Sequence, residues 1–323
     1  MAGSQYMHIK ASAILGFFSF ICACLLSPLG MTKSLAITLD DSPRTATGYL
    51  DGPSRAKQLL NEIERHNIPQ IAFFSVGKKV RDEGKERLIR YANAGHIIAH
   101  HSNTHLDFNK HSLSDYIADF EQAETQLRTL PNYKPWFRFP YLREGNTQEK
   151  RDGMRAYLQR KGYRNAYITL NNYDWYLESL FQTAVAKQQT INFDALQKLY
   201  VELIIEGIEY YDQMAIEVLG RSPHHVLLLH EMDITAMYLG DLVDALREKG
   251  WRTLPVEQAF KDEIAKYRTE KIFKFNPGRI AEIAYDQGKR KGLWHHSLDE
   301  AYIKHRFDTE VLGHDKQKTG KTE

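Results

Sequence analysis

Side chains that could bind a metal ion and move protons lie at the ends of two short apolar runs. The run that begins at Leu35 ends in Asp40 and Asp41, and a later run is followed by His101 and His105. Two imidazoles at this spacing can reach one ion from a single helical turn, and a carboxylate can complete a three-ligand site with an open position for water. Neighbouring carboxylates on a strand point to opposite sides, so the other one stays available as a base. The pattern predicts metal-assisted hydrolysis.

The remaining histidines fit this chemistry less well. His96 and His100 have the same spacing, but Ile97 and Ile98 between them indicate a strand. Side chains four positions apart on a strand stand about 13 Å from each other, too far to share an ion. Ordinary core or surface positions are expected for His66, His111, His224, His295, His296 and His305. A structural alternative for the two aspartates is a turn or helix cap, since Ser42-Pro43 follows them.

Three further apolar runs also end in polar or aromatic residues. They are 136–139 with Arg138 and then Tyr141, 166–170 followed by Asp174 and Trp175, and 226–229 followed by His230. In parallel α/β proteins the active site lies at the carboxyl ends of the strands. Five strand ends with such residues predict an enzyme.

Strand-like and helix-like segments alternate along most of the chain. Amphipathic helices are expected over residues 54–66, 114–130 and 241–249, between the apolar runs. Such alternation is typical of a parallel sheet, either open or closed into a barrel. No glycine-rich phosphate loop follows the first strand, which argues against a nucleotide or dinucleotide enzyme.

Two segments depart from the alternation. Residues 176–220 show a long helical stripe of apolar side chains, which predicts either a helical insertion packed on the barrel or a lid over a substrate cleft. After residue 262 the strands stop, another helix is expected over 276–288, and 314–323 is a polar tail.

Charge and composition exclude some partners. The 323 residues carry a formal net charge of +2, with 43 Lys and Arg against 41 Asp and Glu. The first 34 residues contain Lys10 and Lys33 and no acid, so the rest of the chain is neutral overall. Nothing in this balance predicts binding to nucleic acid.

The amino-terminal segment, residues 1–34, predicts export. Residues 11–32 follow Lys10 and contain no charged side chain. A short basic start and an apolar run are typical of a signal peptide, whereas the length of the run also suits an uncleaved membrane anchor. A third hypothesis makes Cys24 a lipid carrier. Cys22 and Cys24 are the two cysteines of the chain, so the domain after residue 34 has no thiol for disulfides, metal binding or catalysis. We expect a periplasmic or cell-envelope location.

Five motifs resemble those of the polysaccharide deacetylases, the NodB-homology family also known as carbohydrate esterase family 4. They are Thr38-Leu-Asp-Asp-Ser-Pro43, His101-Ser-Asn-Thr-His105, Arg138-Phe-Pro-Tyr141, Asp174-Trp175 and Leu227-Leu-Leu-His230, in that order. Residues 72–77 also resemble the second strand of the family. The resemblance implies an irregular (β/α) barrel over 35–262, with the helical insertion 176–220 and a C-terminal helical extension over 263–323.

The resemblance also implies a role for each motif residue. Asp40 would be the catalytic base, and Asp41, His101 and His105 would bind one divalent metal ion, usually Zn²⁺. Arg138 would hold the base, His230 would be the general acid, and Asp174 would help to set the charge of His230. The backbone amide of Tyr141 would help to form the oxyanion hole, and Trp175 with Leu228 or Leu229 would wall the pocket for the acetyl methyl group.

Some positions depart from the family pattern. Asn171 and Asn172 stand where an Asp-Ser pair often precedes the fourth motif, which puts the charge setting of His230 in question. The insertion and the C-terminal extension fall outside the common core and leave the substrate open, because loops select substrates in such sites.

The function implied is removal of N-acetyl groups from an N-acetylglucosamine-containing polysaccharide such as peptidoglycan. Membrane contact is expected only through residues 11–32 if they are not cleaved. Two alternatives remain open: a hydrolase of the same fold that acts on a small amide or imide, and an inactive carbohydrate-binding homologue. The predicted export segment weighs against the first, and the complete set of motif residues weighs against the second.

Overall fold

The computed structural model describes Met1 and residues 33–314. The predicted export segment, with Cys22 and Cys24, therefore lies outside the described residues apart from its two ends, as does the polar tail beyond His314. All the elements below belong to the second of the two units of the chain, Met31–Glu323. Within residues 33–314, no helix has the combination of length and apolar character that a membrane span requires.

Seven parallel strands form the centre of the fold. They are β1 (Ser34–Ser42), β2 (Ala72–Ser75), β3 (Ile97–His100), β4 (Tyr133–Phe137), β5 (Arg164–Asn165), β6 (His224–His230) and β7 (Arg252–Thr253). Their order across the sheet is β5-β4-β3-β2-β1-β6, and β7 pairs with the first residues of β1. Strands β1, β2 and β3 are buried on both faces, which explains why they read as continuous apolar runs.

The segment that follows β5 brings the two edges of the sheet together. Asn165 pairs with Phe137 of β4, and five residues later Leu170 pairs with Leu227 of β6. Residues 166–170 were expected to form a strand, but they are mostly irregular. Several of their carbonyls accept hydrogen bonds from the Arg138 side chain and from the C-terminal extension instead of from a neighbouring strand. The predicted irregular (β/α) barrel is confirmed, with its irregular part at this position.

Ten helices surround the sheet in the described part of the chain. They are α1 (Gly52–Arg65), α2 (Asp82–Asn93), α3 (Leu113–Leu127), α4 (Gln148–Arg160), α5 (Asp174–Ala186), α6 (Phe193–Leu219), α7 (Asp233–Glu248), α8 (Val256–Ala259), α9 (Arg279–Asp286) and α10 (Glu300–Arg306). Local signals set several of their starts. For example, the Asp51 carboxylate accepts a hydrogen bond from the backbone amide of Ser54 at 2.6 Å and caps α1.

Helices α5 and α6 occupy the region expected to be a helical insertion. Helix α6 begins after the side-chain cap Asn192 and ends at Gly220, whose left-handed φ of 71° suits the residue after a helix. The apolar stripe of α6 is buried in the main core, and Asp212 on the same helix is bonded to His225 of β6 at 3.1 Å. Phe181 and Ala184 of α5 are also fully buried or nearly so. These contacts favour the packed insertion over the lid.

The C-terminal extension packs against the barrel. Helix α9 buries Ile280, Ile283 and Ala284 in the main core, and α10 with the single π turn after it buries Ile303 and Phe307. Gly278 has a φ of 98° and lies against Ile168, so the extension covers the irregular part of the sheet. The helix expected over 276–288 is present as the shorter α9.

Candidate active site

Strand register brings the motif residues to one edge of the sheet. Asp40 of β1 is level with His230 of β6, and Ser75 of β2 is level with His100 of β3. His100 is in turn level with Phe137, so the residues that follow, His101 and Arg138, leave the sheet side by side. Because all the strands are parallel, their carboxyl ends form one surface, and four of the five motifs meet there directly.

Asp41, His101 and His105 form a cluster with the geometry of a metal site. The Nε2 atoms of His105 and His101 lie 3.2 Å and 3.7 Å from Asp41 Oδ1. One ligand atom from each residue lies within 4.8 Å of those of the other two. Three nitrogen and oxygen donors around one point, with one side left open, are typical of a catalytic rather than a structural zinc site.

The backbone that presents these ligands is a loop. The spacing of His101 and His105 suggested one turn of helix, which is wrong: φ is 62° at Ser102 and 57° at His105. Asp41 also has a left-handed φ of 66° at a register shift in β1. Such backbone is costly for residues with a side chain and is concentrated at functional sites. The imidazole centroids nevertheless lie 5.0 Å apart.

Hydrogen bonding leaves the cluster ready for a cation. His101 Nδ1 lies 2.9 Å from the carbonyl oxygen of Arg138 and donates to it, so Nε2 faces Asp41 without a proton. Asp41 Oδ1 is buried and has no hydrogen-bond partner among the described residues. An orphaned carboxylate oxygen beside two imidazole nitrogens fits a divalent metal ion.

The protonation states of Asp41, His101 and His105 also suit a metal site. Burial lowers the pKa of His101 and of His105 to about 4, so both imidazoles are neutral at neutral pH, as metal binding requires. Burial would raise the pKa of Asp41, but the neighbouring His230 and His105 outweigh it and hold that pKa below its ordinary value. The cluster therefore presents one negative charge and two neutral nitrogen donors.

Asp40 lies beside this cluster and is held by an arginine. Arg138 is fully buried, and its Nη1 donates to Asp40 Oδ1 at 2.8 Å and to the Thr38 hydroxyl at 2.6 Å. Its Nε donates to the carbonyl of Ala166 at 3.0 Å, in the irregular segment after β5. Burial raises the pKa of Asp40 and outweighs the opposing charge of Arg138. Asp40 Oδ2 is thus the oxygen left to face the site, 3.8 Å from His101 Nε2.

Arg138→Met should destabilise the protein, because it leaves Asp40 as a buried carboxylate without its cation. Breaking a buried ion pair typically costs about 3–5 kcal/mol of unfolding free energy. Urea denaturation followed by circular dichroism measures this loss. The double variant Arg138→Met/Asp40→Asn should recover part of it, because the unpaired charge is gone. Wild-type stability in the single variant would show that the pair does not hold the site together.

His230 and Asp174 form the second hydrogen-bonded pair of the site. His230 Nδ1 donates to Asp174 Oδ1 at 2.8 Å, and the His230 backbone amide donates to Oδ2 at 2.8 Å. The Asn172 side chain accepts a hydrogen bond from the Asp174 backbone amide at 2.9 Å. Asn172 therefore helps to orient Asp174, although it departs from the family pattern. Burial alone would lower the pKa of His230, but Asp174, with help from Asp41 and Asp40, raises it to about 9. His230 is therefore a cation at neutral pH.

The residues expected to contact the substrate differ in exposure and in the strand face that they occupy. Tyr141 is 54% exposed and its ring lies 4.5 Å from that of His105, while Trp175 is 36% exposed at the start of α5. Strand alternation puts Leu228 on the same face of β6 as His230. Leu229 is on the opposite face and fully buried. Of the two alternatives, Leu228 therefore shares a face with His230 and Leu229 does not.

Sequence reasoning missed a group of charged residues that supports the site. Glu231 accepts from Arg87 Nη1 at 2.6 Å, from the Tyr91 hydroxyl at 2.9 Å and from the Arg44 amide at 3.0 Å. The Arg44 side chain also donates to Asp41 Oδ2 at 3.0 Å, which occupies the second oxygen of that carboxylate. The position of Glu231 directly after His230 was an available signal, whereas nothing in the sequence pointed to Arg87.

The histidines set aside from the sequence lie outside the site. His96 Nδ1 accepts from the Ile71 amide, and His100 is stacked on Phe120 with ring centroids 4.0 Å apart. His66 contacts Asp244, and His295 stacks close to His296. None of these five belongs to the Asp41, His101 and His105 cluster.

Known proteins with similar sequences belong to one group, the polysaccharide deacetylases. The polysaccharide deacetylase family model matches residues 30–166. The chain is 23% identical over 223 residues to the putative polysaccharide deacetylase YheN of Bacillus subtilis (strain 168). That alignment covers 68% of this chain and 65% of YheN, so the chain spans less than two thirds of that relative.

Solved structures that resemble the chain include two deacetylases. The peptidoglycan deacetylase PdaC from Bacillus subtilis gives a TM-score of 0.47 at 18% identity, over 72% of this chain and 91% of PdaC. The Bc1960 peptidoglycan N-acetylglucosamine deacetylase gives 0.48 at 20% identity, over 71% of this chain and 88% of that one. The family match over residues 30–166 confirms the resemblance seen in the first three motifs, which all lie within that range.

Proposed function

We propose that the chain is a metal-dependent hydrolase that removes N-acetyl groups from an N-acetylglucosamine-containing polysaccharide such as peptidoglycan. One observation carries this proposal. A cluster of three potential metal ligands lies beside Asp40, a carboxylate held by Arg138, and Asp40 is level with His230, an imidazole held by Asp174. Amide hydrolysis needs a nucleophilic water, a polarised carbonyl and a proton for the leaving amine, and this arrangement offers a group for each.

Asp41, His101 and His105 are the proposed ligands of one divalent ion, most naturally Zn²⁺ given two imidazoles and one carboxylate. When bound, the ion supplies Lewis-acid polarisation of the acetyl carbonyl and lowers the pKa of a water. Arg44 supports the site by holding Asp41 Oδ2, which leaves Oδ1 as the coordinating oxygen. The Arg138 carbonyl accepts a hydrogen bond from His101 Nδ1 and thereby fixes the His101 ring with Nε2 towards the cluster.

Asp40 is the proposed general base. Its Oδ1 is occupied by Arg138 and its Oδ2 faces the cluster, so the proton of the attacking water would be taken at Oδ2. Burial raises the pKa of Asp40, which makes it a stronger base than an exposed aspartate, and the charge of Arg138 acts against that rise. Water adds to the acetyl carbon, and the carbonyl oxygen becomes an oxyanion.

His230 is the proposed general acid. Its Nδ1 proton is committed to Asp174, so the Nε2 proton is the one available for the leaving amine. Donation to that nitrogen lets the C–N bond break, which yields acetate and a free amino sugar. We propose that the Tyr141 amide stabilises the oxyanion and that Trp175 and Leu228 contact the acetyl methyl group.

The site of action that we propose is the cell envelope. Support comes from residues 11–32, which carry no charged side chain and follow Lys10. Polymers that contain N-acetylglucosamine are part of that compartment in many bacteria. The polysaccharide would be the partner of the site, and residues 11–32 would provide membrane contact if they are retained.

A substrate panel tests the proposed function. Acetate release is measured with peptidoglycan, chitin oligomers, exopolysaccharide and one small cyclic imide, with Asp40→Asn as the matched control. We expect acetate from at least one of the polysaccharides and no ring opening of the imide. Hydrolysis of the imide alone would place the chain among small-amide hydrolases. Binding of a polysaccharide without acetate release would indicate an inactive homologue.

Asp174→Asn should move the alkaline limb of the pH profile to lower pH. His230 must be protonated to donate, so activity that depends on it is lost as the pH rises through its folded-state pKa. Removing an opposite charge at hydrogen-bond distance lowers such a pKa by about 1–3 units. The measurement is kcat/KM against pH. Asp107→Asn, which removes an acid that pairs with Arg143 and not with His230, should leave the alkaline limb at its wild-type pH. An unchanged limb in Asp174→Asn would show that His230 is not the acid.

A further inference from the structure

Beside the site lies an open depression lined by aromatic side chains from two separate parts of the chain. Trp294 of the C-terminal extension is 46% exposed, and Tyr173, the residue before α5, lines the same depression of roughly 800 Å³. The Tyr173 ring lies 5.1 Å from that of Trp175. We call Tyr173, Trp175 and Trp294 the aromatic platform.

The chain itself connects the platform to the candidate active site. Tyr173 precedes Asp174, whose carboxylate holds His230, and the Trp175 amide donates to Asp174 Oδ1 at 2.8 Å. Two members of the platform therefore flank the residue that holds His230. Trp294, from the extension, lines the same depression as Tyr173.

The turn that carries Trp294 is firmly anchored. On one side, Leu293 is buried, and the carbonyl oxygens of Gly292 and Leu293 accept hydrogen bonds from two tyrosine hydroxyls of α6. On the other side, Ser297 is buried against α6, where Gly207 has no side chain to push it away. An exposed tryptophan on such a fixed support loses little conformational entropy when it binds a ligand.

The polar lining indicates the chemistry of the ligand. Asp299 and Glu300 line the depression together with His295 and His296. Burial, with the neighbouring His296, lowers the pKa of His295 to about 4, so His295 is neutral at neutral pH. The lining thus offers two carboxylates, flat aromatic faces and neither lysine nor arginine, which suits uncharged hydroxyl-rich rings and disfavours anions.

We propose that the aromatic platform is an extended subsite that binds uncharged sugar units next to the unit being deacetylated. This inference rests on the proposed function and narrows its substrate class to a neutral polysaccharide chain. The apolar faces of sugar rings stack on the indoles, while Asp299 and Glu300 accept hydrogen bonds from sugar hydroxyls. The C-terminal extension thereby takes part in substrate selection as well as in packing.

Binding and kinetics of Trp294→Ala test the subsite. Affinity electrophoresis with glycol chitin, a soluble neutral N-acetylglucosamine polymer, should show retardation of the wild type and an apparent Kd about two- to tenfold higher for the variant, as expected for one aromatic contact. KM for an N-acetylglucosamine hexamer should rise by a similar factor, with unchanged kcat and unchanged kinetics on the shortest active oligomer.

Trp294→Phe is the matched control, because it retains an aromatic face and should bind almost as the wild type does. Hyaluronan, which carries a carboxylate on alternate units, should retard the wild type less than glycol chitin. Equal retardation of wild type and Trp294→Ala by glycol chitin, or no retardation of the wild type, would overturn the subsite. Retardation that depends on Trp294 without any acetate release would support the subsite and contradict the proposed function instead.

Discussion

Asp40→Asn should retain its metal and lose at least about 10²-fold in kcat, the lower end of the usual contribution of general base catalysis. The amide that replaces the carboxylate cannot take a proton from the attacking water. Substrate affinity should change much less, because the loss belongs to the chemical step. Metal content by elemental analysis and steady-state kinetics on the same preparation measure both quantities.

The structure also defines what this variant leaves intact. Asp40 is outside the three-ligand cluster, and its Oδ2 lies 3.8 Å from His101 Nε2. An asparagine can still accept a hydrogen bond from Arg138 through its amide oxygen. An Asp40→Asn protein that keeps wild-type turnover would contradict the role of Asp40 as the base.

Asp41→Asn should empty the metal site. A neutral amide is a poorer ligand for a divalent ion than a carboxylate, and Asp41 Oδ1 is the buried oxygen that both imidazoles approach. Loss of a group that only hydrogen-bonds to a metal ligand weakens metal binding about 10–100-fold, so loss of a ligand itself should weaken it at least as much. Competition with a chromogenic chelator measures the affinity. Activity at limiting metal should fall with it.

Asp40→Asn is the matched control for this variant, because the two aspartates are adjacent and chemically identical. Addition of Zn²⁺ should raise the melting temperature of the wild type and of Asp40→Asn, and have little effect on Asp41→Asn. If Asp40→Asn loses the metal and Asp41→Asn keeps it, the two roles are exchanged and the first motif is misaligned by one residue.

The sequence predicted much of the site because parallel strands gather their carboxyl ends. Asp40, His101, Arg138 and His230 each stand at or just after the end of an apolar run, and register alone places them together. The spacing of His101 and His105 identified the pair that the structure brings together, but for an incorrect local reason. A loop with left-handed residues, rather than a helical turn, brings the two rings together.

Other features depend on contacts between distant parts of the chain. Apolar residues 166–170 resemble a strand, but their carbonyls are used by Arg138 and by the extension. Arg87 lies 144 positions from Glu231, and only the folded barrel brings them together. Leu229 lies on the face of β6 opposite to His230 because side chains alternate along a strand, and the motif alone does not specify which face meets the site.

Hydrolysis of an N-acetyl amide by a metal site made of Asp41, His101 and His105 is tested most directly by measuring two products together. Acetate and newly formed primary amine are measured on N-acetylated polysaccharide before chelation, after chelation and after Zn²⁺ is restored. We predict equal amounts of acetate and amine, loss of both on chelation, and recovery of both with about one ion per chain. Acetate without amine, or release that is unchanged by complete removal of the metal, would contradict the account.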